Sequence, residues 1–142
     1  MKFLALDYGT RRIGVAVTDD NAIHIRGLPT ISRKDEFRSL TNLEACIRRE
    51  NPDRIIFGLP LRSDDSESSM SRDVRRFAKM LCDRVSLPCS FIDESFSSKR
   101  AQRMLRYRKK KIRRDKAAVD RIAACLILEE YLRERGEQHE IM

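Results

Sequence analysis

Apolar residues occur along this chain in two patterns, short continuous runs and runs with helical spacing. A continuous apolar run indicates a strand buried on both faces, whereas apolar residues three and four positions apart indicate a helix that covers a sheet. Loose alternation with Gly27 and Pro29 indicates an edge strand. On these criteria the sequence predicts strands over Phe3–Leu6, Ile13–Thr18, Ala22–Ile31 (the edge strand), Arg54–Gly58 and Leu87–Ile92.

The helical spacing predicts four helices between and after these strands. In the first, Phe37, Leu40, Leu43 and Ile47 form the apolar stripe, and Ser32 is the expected N-cap. The others are expected around Val74–Leu81, around Ala101–Leu105 after a Ser97 or Ser98 cap, and over Ala117–Arg133. Residues from about 136 to 142 are polar and are expected to be a frayed tail.

The order of the elements predicts the topology. An antiparallel meander comes first, and strand–helix–strand units with right-handed crossovers add parallel strands. We therefore predict an α/β fold with a mixed five-stranded sheet and helices on both faces. With 142 residues and neither a linker nor an internal repeat, residues 1–142 are expected to form a single domain.

Acidic residues stand where two of the predicted central strands end. Asp7 closes the first strand, Glu94 follows the last strand, and Asp120 lies near the start of the final helix. The carboxyl ends of parallel strands meet at one edge of a sheet, so the three carboxylates are predicted to converge there. Such a group suits Mg²⁺ or Mn²⁺, and paired ions of this kind support phosphodiester cleavage. Taken singly, each acid is also typical of a turn or a helix cap.

Charge favours a polyanionic partner. The chain has 30 Lys and Arg against 22 Asp and Glu, a formal net charge of +8. Nucleic acid is preferred over a membrane surface, because no apolar run approaches the roughly 20 residues that span a bilayer. With no signal-peptide pattern, a cytoplasmic location is expected. The cysteines lack ligand spacing to either histidine, so we expect reduced core thiols rather than a zinc site.

Four blocks of the sequence together resemble the YqgF/RuvX-type pre-16S ribosomal RNA nucleases, relatives of RuvC-type Holliday-junction resolvases with a ribonuclease H-like fold. The resemblance covers nearly the whole chain. The blocks are Asp7–Val17, Gly58–Leu61, Asp93–Glu94 and Lys116–Leu132. The resemblance implies a metal-dependent endonuclease with Asp7, Glu94 and Asp120 as its acidic triad and Mg²⁺ or Mn²⁺ as its cofactor. It also implies 5′-end processing of pre-16S ribosomal RNA in the cytoplasm.

The chain departs from this family after Asp93-Glu94, where Ser95-Phe96-Ser97-Ser98 replaces the usual Arg-Leu-Thr-Thr. If the family's arginine contacts the scissile phosphate, either Arg11, Arg12 or Lys99 substitutes for it here or the activity is weaker. A basic segment before Asp120 is predicted to hold the nucleic acid backbone. The predicted contacts in that segment are Arg108, Lys109, Lys110, Lys111, Arg113 and Arg114.

Three alternatives remain open from the sequence. Junction resolution would favour a homodimer with two symmetric sites, whereas RNA trimming requires only a monomer. A non-catalytic RNA- or DNA-binding domain of the same fold would use the basic segment alone. An Asp-x-Gly-Thr turn also opens the sugar-kinase and actin-like ATPases, but those proteins need a second such domain, so ATP binding is disfavoured.

Overall fold

The computed structural model describes residues 1–60, 68–93 and 116–141, with the side chains of the last segment described from 117 to 136. Five strands form one sheet, and the helices in these ranges lie on both of its faces. The strands are β1 (Phe3–Tyr8), β2 (Arg12–Thr18), β3 (Ile25–Ser32), β4 (Arg54–Leu59) and β5 (Cys89–Asp93). The helices are α1 (Glu36–Glu50), α2 (Ser69–Val85) and α3 (Lys116–Ile141).

The strand order is β3-β2-β1-β4-β5, with β1 at the centre. β1 pairs antiparallel with β2 and parallel with β4, and β5 adds parallel to β4. The predicted α/β fold with a mixed five-stranded sheet, a meander first and parallel strands after it, is therefore confirmed. The pairing of β2 with β3 is irregular between Ile13 and Val15, opposite the part of β3 that holds Pro29, in agreement with an edge strand.

Alternate residues of β1 enter two separate cores, because successive side chains of a strand point to opposite faces. Leu4, Leu6 and Tyr8 pack in the core under α1 and α2. Phe3 and Ala5 pack in a smaller core under α3, with Ala124, Ile127 and Leu128 of that helix. Asp7 continues the second series, so its side chain is on the α3 face of the sheet.

Two details of α1 correct the sequence-based expectation. The N-cap is Asp35 rather than Ser32: the Asp35 side chain accepts a hydrogen bond from the Arg38 backbone N–H, while Ser32 belongs to β3. Phe37 is 69% exposed, although it has the spacing of the buried stripe. Burial in α1 begins with Ser39 and Leu40, and Phe37 instead lies beside the Arg84 guanidinium of α2.

The final helix is longer than predicted. It begins at Lys116 and continues to Ile141, into the residues that were expected to form a frayed tail. Polar residues with good helix propensity, Glu and Gln among them, allow the helix to continue after its apolar contacts end. In the described segments, no helix combines the length and the apolar character that crossing a membrane requires.

Candidate active site

Asp7 is a buried carboxylate at the carboxyl end of the central strand. Asp7 is 7% exposed, and in the antiparallel pairing of β1 with β2 it lies directly opposite Gly14. Burying a carboxylate costs free energy unless hydrogen bonds or charges compensate. The last paired residues of β1 and β4 are Leu6 and Phe57, so the chain reaches Asp7 and Gly58 at neighbouring strand ends.

Gly14 brings the start of α3 onto this strand pair. A Cβ built on Gly14 would lie 2.2 Å from the Asp120 carbonyl oxygen and 3.3 Å from the Asp120 Cβ. No residue other than glycine fits such an approach, since real Cβ contacts are not that short. Because Gly14 is also the cross-strand partner of Asp7, the structure brings Asp7 and Asp120 together around one glycine.

Arg12 holds the Asp120 carboxylate in place. The Arg12 Nε donates a hydrogen bond to Asp120 Oδ2 at 2.9 Å, and the two side chains are 30% and 21% exposed. Arg12 is the first residue of β2. Gly14 follows two positions later in the strand, so both residues lie on the same face of the sheet. This charge-assisted hydrogen bond fixes the direction of the carboxylate and offsets its charge next to Asp7.

The turn between β1 and β2 is tight and braced from β3. The Gly9 N–H donates to the Asp7 and Arg12 carbonyl oxygens at 3.1 and 3.0 Å. A Cβ on Gly9 would lie 2.7 Å from the Arg12 carbonyl oxygen, which explains the glycine. Arg33, which follows the end of β3, donates to the Gly9 carbonyl oxygen from one side of this turn.

Arg33 makes further contacts that link three elements. Its Nη2 donates to the Tyr8 hydroxyl oxygen at 2.5 Å, and its guanidinium carbon lies 3.7 Å from the centre of the Tyr8 ring. The same nitrogen is 3.5 Å from Asp73 Oδ2 in α2. Burial raises the pKa of Tyr8 above its ordinary value, so the phenol stays neutral at physiological pH.

The structure describes four of the residues that the sequence singled out for chemistry or binding. Asp7 and Asp120 are brought together, Arg12 pairs with Asp120, and Arg11 is exposed in the β1–β2 turn. Their catalytic and binding roles stay predictions. The other predicted site residues lie outside the described residues: Glu94, Lys99, Arg108, Lys109, Lys110, Lys111, Arg113 and Arg114.

The donors at this edge of the sheet fit a hard divalent cation. Asp7 and Asp120 offer carboxylate oxygens, which Mg²⁺ and Mn²⁺ prefer, and Gly14 lets the strand and the helix that carry them approach closely. Among the described residues, no group of three or more His, Cys, Asp or Glu side chains is arranged to hold a metal ion. Glu94, which follows Asp93 directly in the sequence, lies outside those residues.

Sequence reasoning missed Gly14, Tyr8 and Arg33 as parts of this site. Gly14 interrupts the apolar run of the second predicted strand, and an isolated glycine in a strand signals a close backbone approach. That signal was available in the sequence. Arg33 carried no local signal, because its side chain contacts residues at least 23 positions away.

A family model described as "RuvX: Holliday junction resolvase" matches residues 1–134. Among similar curated proteins, the "Putative pre-16S rRNA nuclease" of Koribacter versatilis is 41% identical over 139 residues, covering 98% of this chain and 91% of the relative. The protein of the same name from Synechococcus elongatus is 37% identical over 134 residues, covering 94% of this chain and 90% of the relative.

Solved structures of similar fold include resolvases. Thermus thermophilus RuvC in complex with a Holliday junction substrate superposes with a TM-score of 0.55 at 13% identity, covering 94% of this chain and 96% of RuvC. Fowlpox virus resolvase in complex with Holliday junction DNA superposes with a TM-score of 0.56 at 14% identity, covering 93% of this chain and 99% of the resolvase. These likenesses confirm the predicted ribonuclease H-like fold.

Proposed function

This chain belongs to the RuvX family, and from that premise we propose that it is a divalent-metal-dependent endonuclease acting on structured nucleic acid. The family resemblance found in the sequence is thereby confirmed, and with it the general class, a hydrolase of the nuclease type. The observation that carries the proposal is the meeting of Asp7 and Asp120 around Gly14, at the carboxyl end of the central strand.

Asp7, Asp120 and Glu94 are the residues proposed to hold Mg²⁺ or Mn²⁺. An ion bound there supplies the activation of a water molecule and the stabilisation of the leaving oxygen. Of the two carboxylates that the structure describes, Asp7 is the better shielded from solvent, so it is expected to contribute the stronger attraction for a cation. Arg12 orients Asp120 and carries positive charge beside it, where a nucleic acid phosphate could be attracted.

The preferred substrate is precursor 16S ribosomal RNA, cut near its 5′ end in the cytoplasm, since the similar curated proteins are named for that RNA. A Holliday junction is the second candidate, because the description of the matching family model names it. Glu94 is the proposed third carboxylate and the basic segment before Asp120 is the proposed backbone contact. Residues 1–142 are proposed to act as one nuclease domain, as a monomer or a homodimer.

The test is cleavage of a structured pre-16S RNA fragment and of a four-way DNA junction with Mn²⁺, comparing wild type with Asp7→Asn. We expect Asp7→Asn to lower the cleavage rate roughly 100-fold or more, since it removes the charge of a proposed metal ligand. Asp20→Asn is the matched control, because Asp20 is exposed in the turn between β2 and β3, away from the carboxyl end of β1.

Equal cleavage by wild type and Asp7→Asn would contradict the assigned site. If every divalent ion left both substrates uncut while binding persisted, the non-catalytic binding domain would be the better description. The ratio of the two cleavage rates in wild type separates the RNA and junction alternatives.

A further inference from the structure

A cleft with a basic lining lies beside the candidate active site, on the β3 side of the sheet. Its volume is about 600 Å³, and it is formed by the β1–β2 turn together with the end of β3 and the residues after it. We call it the β3-side cleft. The lining residues are Thr10, Arg11, Arg12, Ser32, Arg33 and Lys34.

The β3-side cleft is continuous with the site through the backbone. Arg12 and Ser32 are cross-strand partners, and the Arg33 N–H donates to the Arg11 carbonyl oxygen at 3.0 Å. Arg12 also reaches Asp120, so one residue borders both the cleft and the carboxylates. A nucleic acid bound at the candidate active site is therefore in position to extend into the cleft.

The cations of this cleft fall into two kinds. Arg12 and Arg33 are held by Asp120 and Asp73 respectively, and Arg33 also donates to backbone carbonyl oxygens. Arg11 and Lys34 are exposed, and their side chains form no ion pair with any residue that the structure describes. The cleft has no carboxylate in its lining, so the charge of the two open cations is not neutralised within it.

We propose that the β3-side cleft binds a backbone phosphate of the nucleic acid at a distance from the scissile phosphate, with Arg11 and Lys34 as its contacts. The proposal rests on the proposed function and extends it. Lys34 and the end of β3 thereby join the predicted binding surface, which the sequence had restricted to the β1–β2 turn and the region from Lys99 to Arg114.

The test measures equilibrium binding of a four-way DNA junction without divalent metal, over a series of salt concentrations. Neutralising phosphate contacts reduces the slope of log K against log salt by about 0.9 for each contact with duplex DNA. For Arg11→Gln combined with Lys34→Gln we expect the slope to fall by about 1, since one phosphate contact is lost, and the affinity to fall severalfold at low salt.

The matched control combines Arg49→Gln with Lys79→Gln and loses the same charge. Arg49 stands beside Glu50, which pairs with Lys2 at the opposite end of β1, and Lys79 lines a different cleft next to the start of β5. Thermal unfolding of both variants establishes that they are folded.

A slope equal to that of the control variant would overturn the proposal, and so would failure of the wild type to bind the junction. These outcomes are distinguishable from failure of the proposed function, which is read from cleavage and from Asp7→Asn. A protein that cuts its substrate but shows an unchanged slope would keep the nuclease assignment and lose the cleft.

Discussion

The two faces of the sheet are built from residues of different size. The face under α1 and α2 is filled by large apolar side chains, among them Phe57, Phe77 and Leu81. The face under α3 also holds large residues such as Phe3 and Ile56, but it has Ala5, Gly14 and Ala16 along β1 and β2. Small residues let the backbone of α3 come close to the strands, and this is the face on which Asp7 and Asp120 stand.

This difference shows that one face of the sheet mainly stabilises the fold, whereas the other mainly positions the candidate active site. Large interlocking side chains on the first face bury apolar area, which is the main source of folding free energy. The close approach on the second face sets where the Asp120 carboxylate lies relative to Asp7, with Arg12 completing the arrangement. We therefore expect added volume on the second face to disturb the site itself as well as the stability of the protein.

Gly14→Ala is the sharpest way to break the second face, because it is expected to lower both stability and activity. The new methyl group would meet the Asp120 carbonyl oxygen at 2.2 Å, so the start of α3 must move. Overpacking of this kind costs about 1–3 kcal/mol, and a clash with backbone places this one near 3 kcal/mol. Urea unfolding measures the loss, and nuclease activity is expected to fall further than stability alone explains.

The matched glycine is Gly136 of α3, where a built Cβ meets nothing within 4 Å. Gly136→Ala is expected to stabilise the protein by about 0.5–1 kcal/mol, since alanine loses less backbone conformational freedom than glycine when the helix folds. A Gly14→Ala variant with wild-type stability and wild-type activity would show that the contact between α3 and β2 does not position the site.

Arg33→Lys tests the bracing of the β1–β2 turn with the positive charge retained. Lysine lacks the planar fork that lets Arg33 reach Tyr8 and the Gly9 carbonyl oxygen together. We expect a loss of about 1–2 kcal/mol, read from urea unfolding. Arg48→Lys is the control, because Arg48 is 65% exposed and pairs only across one helical turn with Glu44; its effect should stay within about 0.5 kcal/mol. Equal effects of the two substitutions would mean that Arg33 does not brace the turn.

Much of the fold could be predicted because the buried strands are visible in the sequence as apolar runs. Leu4 to Leu6 and Ile55 to Phe57 are continuous apolar runs, and their parallel pairing follows from the helix between them. The meeting of Asp7 with Asp120 was predicted from topology, and the structure places both at Gly14. The assignment of Asp7, Glu94 and Asp120 as metal ligands remains a prediction.

What the sequence did not predict depends on contacts between distant segments. The ion pair of Arg12 with Asp120 joins residues 108 positions apart, and no local pattern distinguishes it from the other arginine pairs. The cap of α1 was misplaced by three residues because Ser32 and Asp35 both offer a side-chain oxygen that can accept the capping hydrogen bond. Only the pairing of Ser32 with Arg12 in the sheet decides that the strand continues that far.

Phe37 gives the smallest expected effect and tests where the apolar stripe of α1 begins. Its ring is 69% exposed, and its one described ring contact is with Arg84, whose guanidinium carbon lies 5.7 Å from the ring centre. Exposed cation–π contacts contribute about 0.5–1 kcal/mol, so Phe37→Ala should cost about 0.5 kcal/mol in urea unfolding. Leu43→Ala, at a fully buried position of the same helix, should cost about 2–5 kcal/mol. Similar losses for the two variants would mean that Phe37 is buried in solution and that the core under α1 extends to the first turn of the helix.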